Sequence, residues 1–159
     1  MTHKGIATLA SAVMLCFLLL SHFDQQFFLV HFYESLIFLA IVLMLFYSIE
    51  RWAYMLGMIV PAAWLLLTFA MGAGPGFLRQ VQSAVRLQRA DSPADLLGAI
   101  VAVLSVALVI VCAVRWRREF AGLGKGWSTF WICMGVTTAY YGVLVVWLLR
   151  WTPVGRLGV

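Results

Sequence analysis

Residues 27–71 read FFLVHFYESLIFLAIVLMLFYSIERWAYMLGMIVPAAWLLLTFAM, an almost uninterrupted apolar run with one charged pair, Glu50–Arg51, near its middle. As a single helix the run would be about 66 Å long at 1.5 Å per residue. The hydrocarbon core of a bilayer is only about 30 Å thick. Because a single helix would be more than twice as long as the hydrocarbon core is thick, Glu50–Arg51 marks a turn at a membrane surface. We predict spans at about 27–49 and 52–71.

Three further stretches are equally apolar and of bilayer length, at about 5–23, 94–114 and 127–149. Of the 159 residues, 64% are hydrophobic and 11% are charged, and the mean hydropathy is +1.00. Such a composition supplies too little polar surface for a water-soluble domain. We therefore predict an all-α integral membrane protein, a bundle of five transmembrane helices in which residues 1–159 form a single membrane domain.

The segment between the third and fourth spans is predicted to form a short interfacial amphipathic helix at about 77–89. A breaker cluster, GAGPG at 72–76, ends the third span ahead of it. Arginines recur at helical spacing on one face of this helix, and leucine and valine occupy the other. We expect it to lie along the lipid headgroups or to contact a partner subunit. Its basic residues are Arg79, Arg86 and Arg89.

The net charge of +5 comes from Lys and Arg residues scattered through the turns and chain ends. Membrane proteins place basic residues in this way for topology and for contact with anionic headgroups, so a nucleic-acid partner is not expected. The face that includes the amino end carries Lys4, Arg51, Arg115, Arg117, Arg118 and Lys125, and the opposite face carries Arg79, Arg86, Arg89, Arg150 and Arg156. The dense group in the last loop, together with Lys4, predicts a cytoplasmic amino end, and we expect the membrane to be a bacterial-type inner membrane.

Small side chains line one face of each of the last two spans. In lipid there is no hydrophobic force between helices, so close packing depends on small residues that let backbones approach. The fourth span offers Gly98, Ala102 and Ser105, and the fifth offers Gly135, Ala139 and Gly142. We predict that these two stripes pack the fourth and fifth helices as a tight antiparallel pair.

The polar residues that most need explaining lie around the first hairpin. His31 and Glu34 are three residues apart and so share a helical face. Glu34 lies about 10 Å below the start of its span, where a carboxylate is costly and points to a function. The hairpin turn brings His22 to the same end of the bundle, so His22 and His31 are the expected partners of Glu34.

Three interpretations of this hairpin are open. His22 and His31 can act as nitrogen ligands of a metal or haem, with Glu34 as a further ligand or a hydrogen-bond acceptor. A histidine and Glu34 can instead serve a proton relay or a quinone site, because both residue types exchange protons near neutral pH in perturbing surroundings. The third is an interfacial polar cluster that orients the hairpin or contacts a neighbouring chain. The cofactor is left unknown, with haem and quinone as candidates.

The sequence carries no H-E-x-x-H, G-x-S-x-G or P-loop motif, and its three cysteines lack C-x-x-C spacing. We expect a non-enzymatic, small multi-pass subunit that anchors or stabilises a larger membrane complex, with lipid and other membrane subunits as partners. The alternative is a haem-, metal- or quinone-binding subunit for redox or proton transfer that uses the hairpin. A small transporter is least favoured, because Glu34 is the only acidic residue well inside a span.

Overall fold

A computed structural model of the chain describes residues 3–70, 93–120 and 126–151, and these residues are helical apart from two short turns. The long helices are α1 (His3–Phe23), α2 (Phe28–Phe46), α3 (Glu50–Ala70), α4 (Pro93–Phe120) and α5 (Gly126–Trp151). All five are long and apolar enough to cross a membrane. The predicted all-helical class with five helices of membrane length is therefore confirmed for the described residues. The predicted interfacial helix at 77–89, with Arg79, Arg86 and Arg89, lies outside the described residues.

Four of the helices surround one core, and α5 joins it from the outside through Cys133 and Tyr141. Helix α1 packs against α2 and α4, and α3 packs against the same two helices on the other side. Helix α5 packs on the outer side of α3. It is the least buried span, with 22% of its apolar window inside the bundle against 50% for α3. The bundle is therefore a closed four-helix unit with one peripheral helix.

An aromatic cluster holds α1, α2 and α3 together at the centre of this unit. Phe17 of α1 stacks on Phe38 of α2 with ring centroids 5.5 Å apart, and both side chains are fully buried. Trp64 of α3 meets Phe17 edge-on at 5.4 Å. Edge-to-face and offset-stacked rings are the preferred aromatic geometries. This cluster fixes the indole of Trp64 beside α2, where the candidate site lies.

The turn between α2 and α3 lies directly ahead of the charged pair that marks it in the sequence. The backbone N–H of Ile49 donates to the Met44 carbonyl at 2.8 Å, and that of Ser48 donates to the Leu45 carbonyl at 3.3 Å. This is the bonding pattern of a Schellman motif, and Ser48 occupies its left-handed position with φ 58°. Glu50 is already the first residue of α3. The motif turns the chain within three residues, as a hairpin of antiparallel spans requires.

Helix α4 runs past the end predicted for the fourth span, at residue 114, and continues to Phe120. Arg115 Nη1 lies 2.6 Å from Glu119 Oε1 one helical turn later. The rings of Trp116 and Phe120 make a second contact at the same spacing, with centroids 5.2 Å apart. Arginine is a good helix former, and such pairs stabilise a helix. The arginines therefore mark where the span leaves the apolar layer and not where the helix stops.

The predicted pairing of the fourth and fifth helices is wrong. Among the described residues, α4 makes its extensive contacts with α1 and α3, and α5 makes its own with α3. The α4 stripe is turned into the bundle: Gly98 and Ser105 are buried and Ala102 is partly buried. The α5 stripe is turned outward: Gly135 and Ala139 are exposed and Gly142 is partly buried. Helix α3 takes the small face of α4, because Gly57 of α3 allows close approach at Cys112.

Candidate functional site

The candidate site is built around Glu34, which is 6% exposed in the interior of the bundle. Its two carboxylate oxygens have different partners. The indole Nε1–H of Trp64 donates to Oε1 at 3.0 Å across the α2–α3 interface. Nδ1 of His31, one turn earlier on α2, lies within hydrogen-bond distance of Oε2 at 3.1 Å. A buried carboxylate needs such partners because an unpaired one is very costly.

The network continues outward to the turn between α1 and α2. Nε2 of His31 lies 3.7 Å from Oδ2 of Asp24, so both ring nitrogens of the histidine face a carboxylate. Asp24 also accepts a hydrogen bond from the backbone N–H of Phe27 at 3.4 Å, which caps the 3₁₀ turn Gln25–Phe27. The exposed fraction of the side chain falls from 32% at Asp24 to 18% at His31 and 8% at Glu34. A line of acid, base and acid thus leads from the bundle surface into its interior.

The structure brings together only part of the predicted His22, His31 and Glu34 group. His31 and Glu34 are in contact, as their spacing indicates. His22 is exposed at the end of α1, with its ring beside Phe23 at 5.6 Å. Across the described ranges, no group of three or more His, Cys, Asp or Glu side chains is placed to hold a metal ion. The third titratable member of the network is Asp24 and not His22.

Trp64 is the partner of Glu34 that the sequence analysis does not identify. The two residues are thirty positions apart and on different helices, so no local spacing connects them. One signal was available. Trp64 is the fifteenth residue of the twenty-one in α3, about 9 Å inside the nearer end of the helix, whereas tryptophan is enriched at the membrane surfaces. A tryptophan at that depth needs an acceptor for its indole N–H.

Two tyrosines fasten the peripheral helix α5 to α2. The Tyr33 hydroxyl donates to the backbone carbonyl of Tyr140 at 3.3 Å, and the Tyr140 hydroxyl donates to the backbone carbonyl of Tyr33. Their rings stack with centroids 4.2 Å apart. Because Tyr33 directly precedes Glu34 in α2, this contact brings α5 to the same level of the bundle as the buried carboxylate.

A second polar cluster lies at the opposite end of the bundle and also escaped the sequence analysis. Nδ1 of His3 is 3.3 Å from Oε1 of Glu50, and the Tyr54 hydroxyl forms a hydrogen bond with the same ring nitrogen. Both the histidine and the glutamate are substantially exposed, at 49% and 34% of the side chain. Exposed pairs of this kind contribute little to stability. The cluster nevertheless shows that the starts of α1 and α3 share one face of the bundle.

Comparison with known proteins adds no family to these observations. No family model matches the chain, and no curated protein or solved structure matches it. The fold and the site define a five-span helical protein, suited to a membrane, with a buried Asp24–His31–Glu34–Trp64 network.

Proposed function

We propose that this chain is a non-enzymatic subunit that anchors or stabilises a larger membrane assembly. The observation that carries the proposal is the outer face of α5. Gly135 and Ala139 are exposed there at a spacing of one helical turn. Among the described residues, no neighbouring atom comes within 4 Å of the position that a Gly135 Cβ would take. Within the described part of the chain, this strip is uncovered on the least buried helix of the bundle.

Small residues on an outward face favour a second helix over lipid. In the membrane, helices associate through close packing of backbones, and glycine or alanine at every fourth position permits it. Two valines flank the strip, Val136 and Val143, which are 51% and 62% exposed. Because β-branched side chains are already confined in a helix, they lose little freedom when a partner covers them. The strip therefore resembles an interface for a transmembrane helix of another chain.

The buried network fits the same role. The Trp64 indole N–H connects α3 to α2 by its hydrogen bond to Glu34, and His31 holds the other oxygen of the same carboxylate. These bonds, with the aromatic cluster beside them, specify one arrangement of the first three helices. A subunit that stabilises its neighbours benefits from a rigid body of this kind, and no further chemistry is required of Glu34.

We place the amino end of the chain in the cytoplasm of a bacterial-type inner membrane. His3 contacts Glu50, and Phe120 packs near Tyr54 at 6.2 Å, so the starts of α1 and α3 and the end of α4 lie together. That face carries Lys4 and the three arginines of the α4 end, at 115, 117 and 118. Short membrane loops rich in Lys and Arg face the cytoplasm, which supports this orientation.

The subunit proposal predicts that Ala139→Trp separates the chain from its assembly. The indole prevents close approach at the strip but extends from an exposed position of the bundle, so folding should be retained. After extraction in mild detergent, light scattering should give the native protein a mass well above the 17.8 kDa of the chain. The Ala139→Trp variant should fall to the mass of the single chain. Val103→Trp, on an α4 position that is 54% exposed, is the matched control and should keep the larger mass. A native protein that is monomeric and stable after this extraction would refute the proposal.

A second candidate function, proton transfer, is favoured by the Asp24–His31–Glu34 alignment. A proton that joins Nε2 of His31 from the Asp24 side allows the proton on Nδ1 to pass to Glu34. His31 Nδ1 is within hydrogen-bond distance of Glu34 at 3.1 Å, and the 3.7 Å between His31 Nε2 and Asp24 Oδ2 has to shorten slightly for a proton to pass. Histidine is suited to this exchange because its two nitrogens can load and release a proton on opposite sides. In this role the chain delivers protons to the bundle interior.

The proton-transfer candidate predicts a route that depends on His31. After an acid jump on the purified chain, infrared absorption should report protonation of a buried carboxyl group, and Glu34→Gln should abolish that signal. His31→Phe should slow its appearance by about tenfold or more, since the base between the acids is lost. Glu119→Gln, at the far end of α4 where the carboxylate is paired with Arg115, is the control and should leave the rate unchanged. An unaltered rate in His31→Phe would show that protons reach Glu34 by another path.

A further inference from the structure

The end of α4 projects beyond the apolar part of its span and carries two exposed arginines, Arg117 and Arg118. They lie about 4.5 Å and 6 Å past Val114 along the helix axis. The polar headgroup layer on each side of a bilayer is about 5–7 Å thick. The neighbouring rings of Trp116 and Phe120 are also typical of this layer, where aromatic residues are enriched. Both arginines therefore lie at the depth of the lipid phosphates.

A lysine of another helix is exposed at the same end of the bundle. It lies in the first turn of α1, directly after His3. The ring of His3 stacks on that of Tyr54 with centroids 6.1 Å apart, and the ring of Phe120 lies 6.2 Å from the same tyrosine. The start of α1 and the end of α4 thus meet around one side chain of α3. We call the three exposed cations at this end the basic surface: Lys4, Arg117 and Arg118.

The carboxylates near the basic surface have other partners. Glu119 Oε1 lies 2.6 Å from Nη1 of Arg115, and Glu50 Oε1 lies 3.3 Å from Nδ1 of His3. Across residues 3–70, 93–120 and 126–151, the three cations of the basic surface take part in no ion pair. Three neighbouring positive charges at headgroup depth are therefore left for an anion that the protein itself does not supply. Charge complementarity identifies this anion as the phosphate of a lipid, which lies at the same depth.

We propose that the basic surface binds anionic phospholipids in preference to zwitterionic ones. The planar guanidinium groups of Arg117 and Arg118 donate hydrogen bonds in a geometry that matches phosphate oxygens, and Lys4 adds a point charge. A phosphatidylcholine headgroup has the same phosphate but carries a quaternary ammonium, which the three cations repel. The acyl chains hold a lipid phosphate at this depth, whereas a soluble phosphate remains in water. The proposal goes beyond the subunit role, since it concerns neither the α5 strip nor the Glu34 network at the other end of the bundle.

The test compares phosphatidylglycerol with phosphatidylcholine of the same acyl chains, added to the purified chain in a neutral detergent. Native mass spectrometry measures the affinity for each lipid. Each basic residue near an anionic lipid surface contributes about fivefold, so the native chain should prefer phosphatidylglycerol by about a hundredfold. Lys4→Gln should reduce this preference about fivefold, and Arg117→Gln with Arg118→Gln about 25-fold. Arg150→Gln is the matched control, because this exposed arginine is at the end of α5 far from the basic surface, and it should leave the preference unchanged.

Two further measurements distinguish lipid binding from other effects. Inorganic phosphate in large excess should not displace phosphatidylglycerol, because a soluble anion is not held at headgroup depth. The Tm of each variant in phosphatidylcholine nanodiscs should equal that of the native chain, since the replaced side chains are exposed. The proposal is overturned by equal affinity for the two lipids, by an unchanged preference in the double arginine variant, by an equal loss in Arg150→Gln, or by displacement with inorganic phosphate. Because the isolated chain is used, these outcomes are independent of whether the chain belongs to an assembly.

Discussion

Replacement of Glu34 by alanine is expected to lower the free energy of unfolding by about 2–4 kcal/mol. The substitution removes the acceptor of the buried Trp64 indole N–H and the carboxylate facing His31 Nδ1. It also leaves a cavity inside the four-helix unit. In the membrane interior no water is available to replace the lost acceptor. Unfolding in mixed micelles with increasing SDS, followed by tryptophan fluorescence, measures the loss.

Conservative variants identify which contact is responsible. Glu34→Gln keeps an amide oxygen for the Trp64 N–H and should cost only about 1 kcal/mol. Trp64→Phe removes the donor, and the double variant Glu34→Ala with Trp64→Phe should cost less than the sum of the two single changes. The control is Glu119→Ala, which breaks the 2.6 Å pair with Arg115 at the end of α4 and should cost under about 1 kcal/mol. Equal losses in the Glu34 and Glu119 variants would show that burial adds nothing at Glu34.

Gly57→Ala is expected to destabilise the contact between α3 and α4 by about 1–3 kcal/mol. An alanine Cβ at this position would lie 2.7 Å from Sγ of Cys112, a separation that real Cβ atoms essentially never adopt. Cys112 is fully buried, so its sulfur has little room to move. The two helices must therefore separate slightly, and the surrounding core side chains lose contacts. The same SDS titration measures the change.

Cys112→Ala should reverse the effect when it is combined with Gly57→Ala. Without the sulfur, the nearest atom to the new methyl group is the Cβ of residue 112 at 3.7 Å, an ordinary contact. Cys112→Ala alone should cost about 1 kcal/mol through the cavity it leaves, while the double variant should be more stable than Gly57→Ala. Gly135→Ala is the matched control on the open strip of α5, where it meets no described atom within 4 Å, and it should cost nothing. If the double variant is no better than Gly57→Ala, the sulfur is not the obstacle.

Much of the first hairpin was accessible from local pattern. His31 and Glu34 are three residues apart, and this spacing alone placed them on one face of α2. Hydropathy and length placed the five spans, with ends displaced by a few residues. The largest displacement is at α4, where Arg115 and Glu119 extend the helix beyond its apolar segment to Phe120. Hydropathy reports the membrane boundary, and a helix is free to continue past it.

The partners of the key side chains were not accessible in this way. Trp64 meets Glu34, His3 meets Glu50 and Gly57 meets Cys112, and the two members of each pair lie on different helices, at least 30 residues apart along the chain. His22 shows the opposite case, since proximity in the hairpin placed it near His31, yet it is exposed at the end of α1. The rotation of a helix about its own axis decides such contacts. A hydropathy profile carries little information about rotation when all faces are apolar.

The sequence by itself determined that this chain forms apolar helices of membrane length, where they turn, and that one carboxylate lies deep in a span. These are local properties, because the length of an apolar run and the spacing of residues need no distant partner. Only the tertiary structure decided which helix lies beside which. It therefore decided that Trp64 donates its hydrogen bond to Glu34 and that small residues of α5 face outward. The physical reason is that helix surfaces in lipid are about equally apolar, so neighbours are selected by shape and by a few hydrogen bonds.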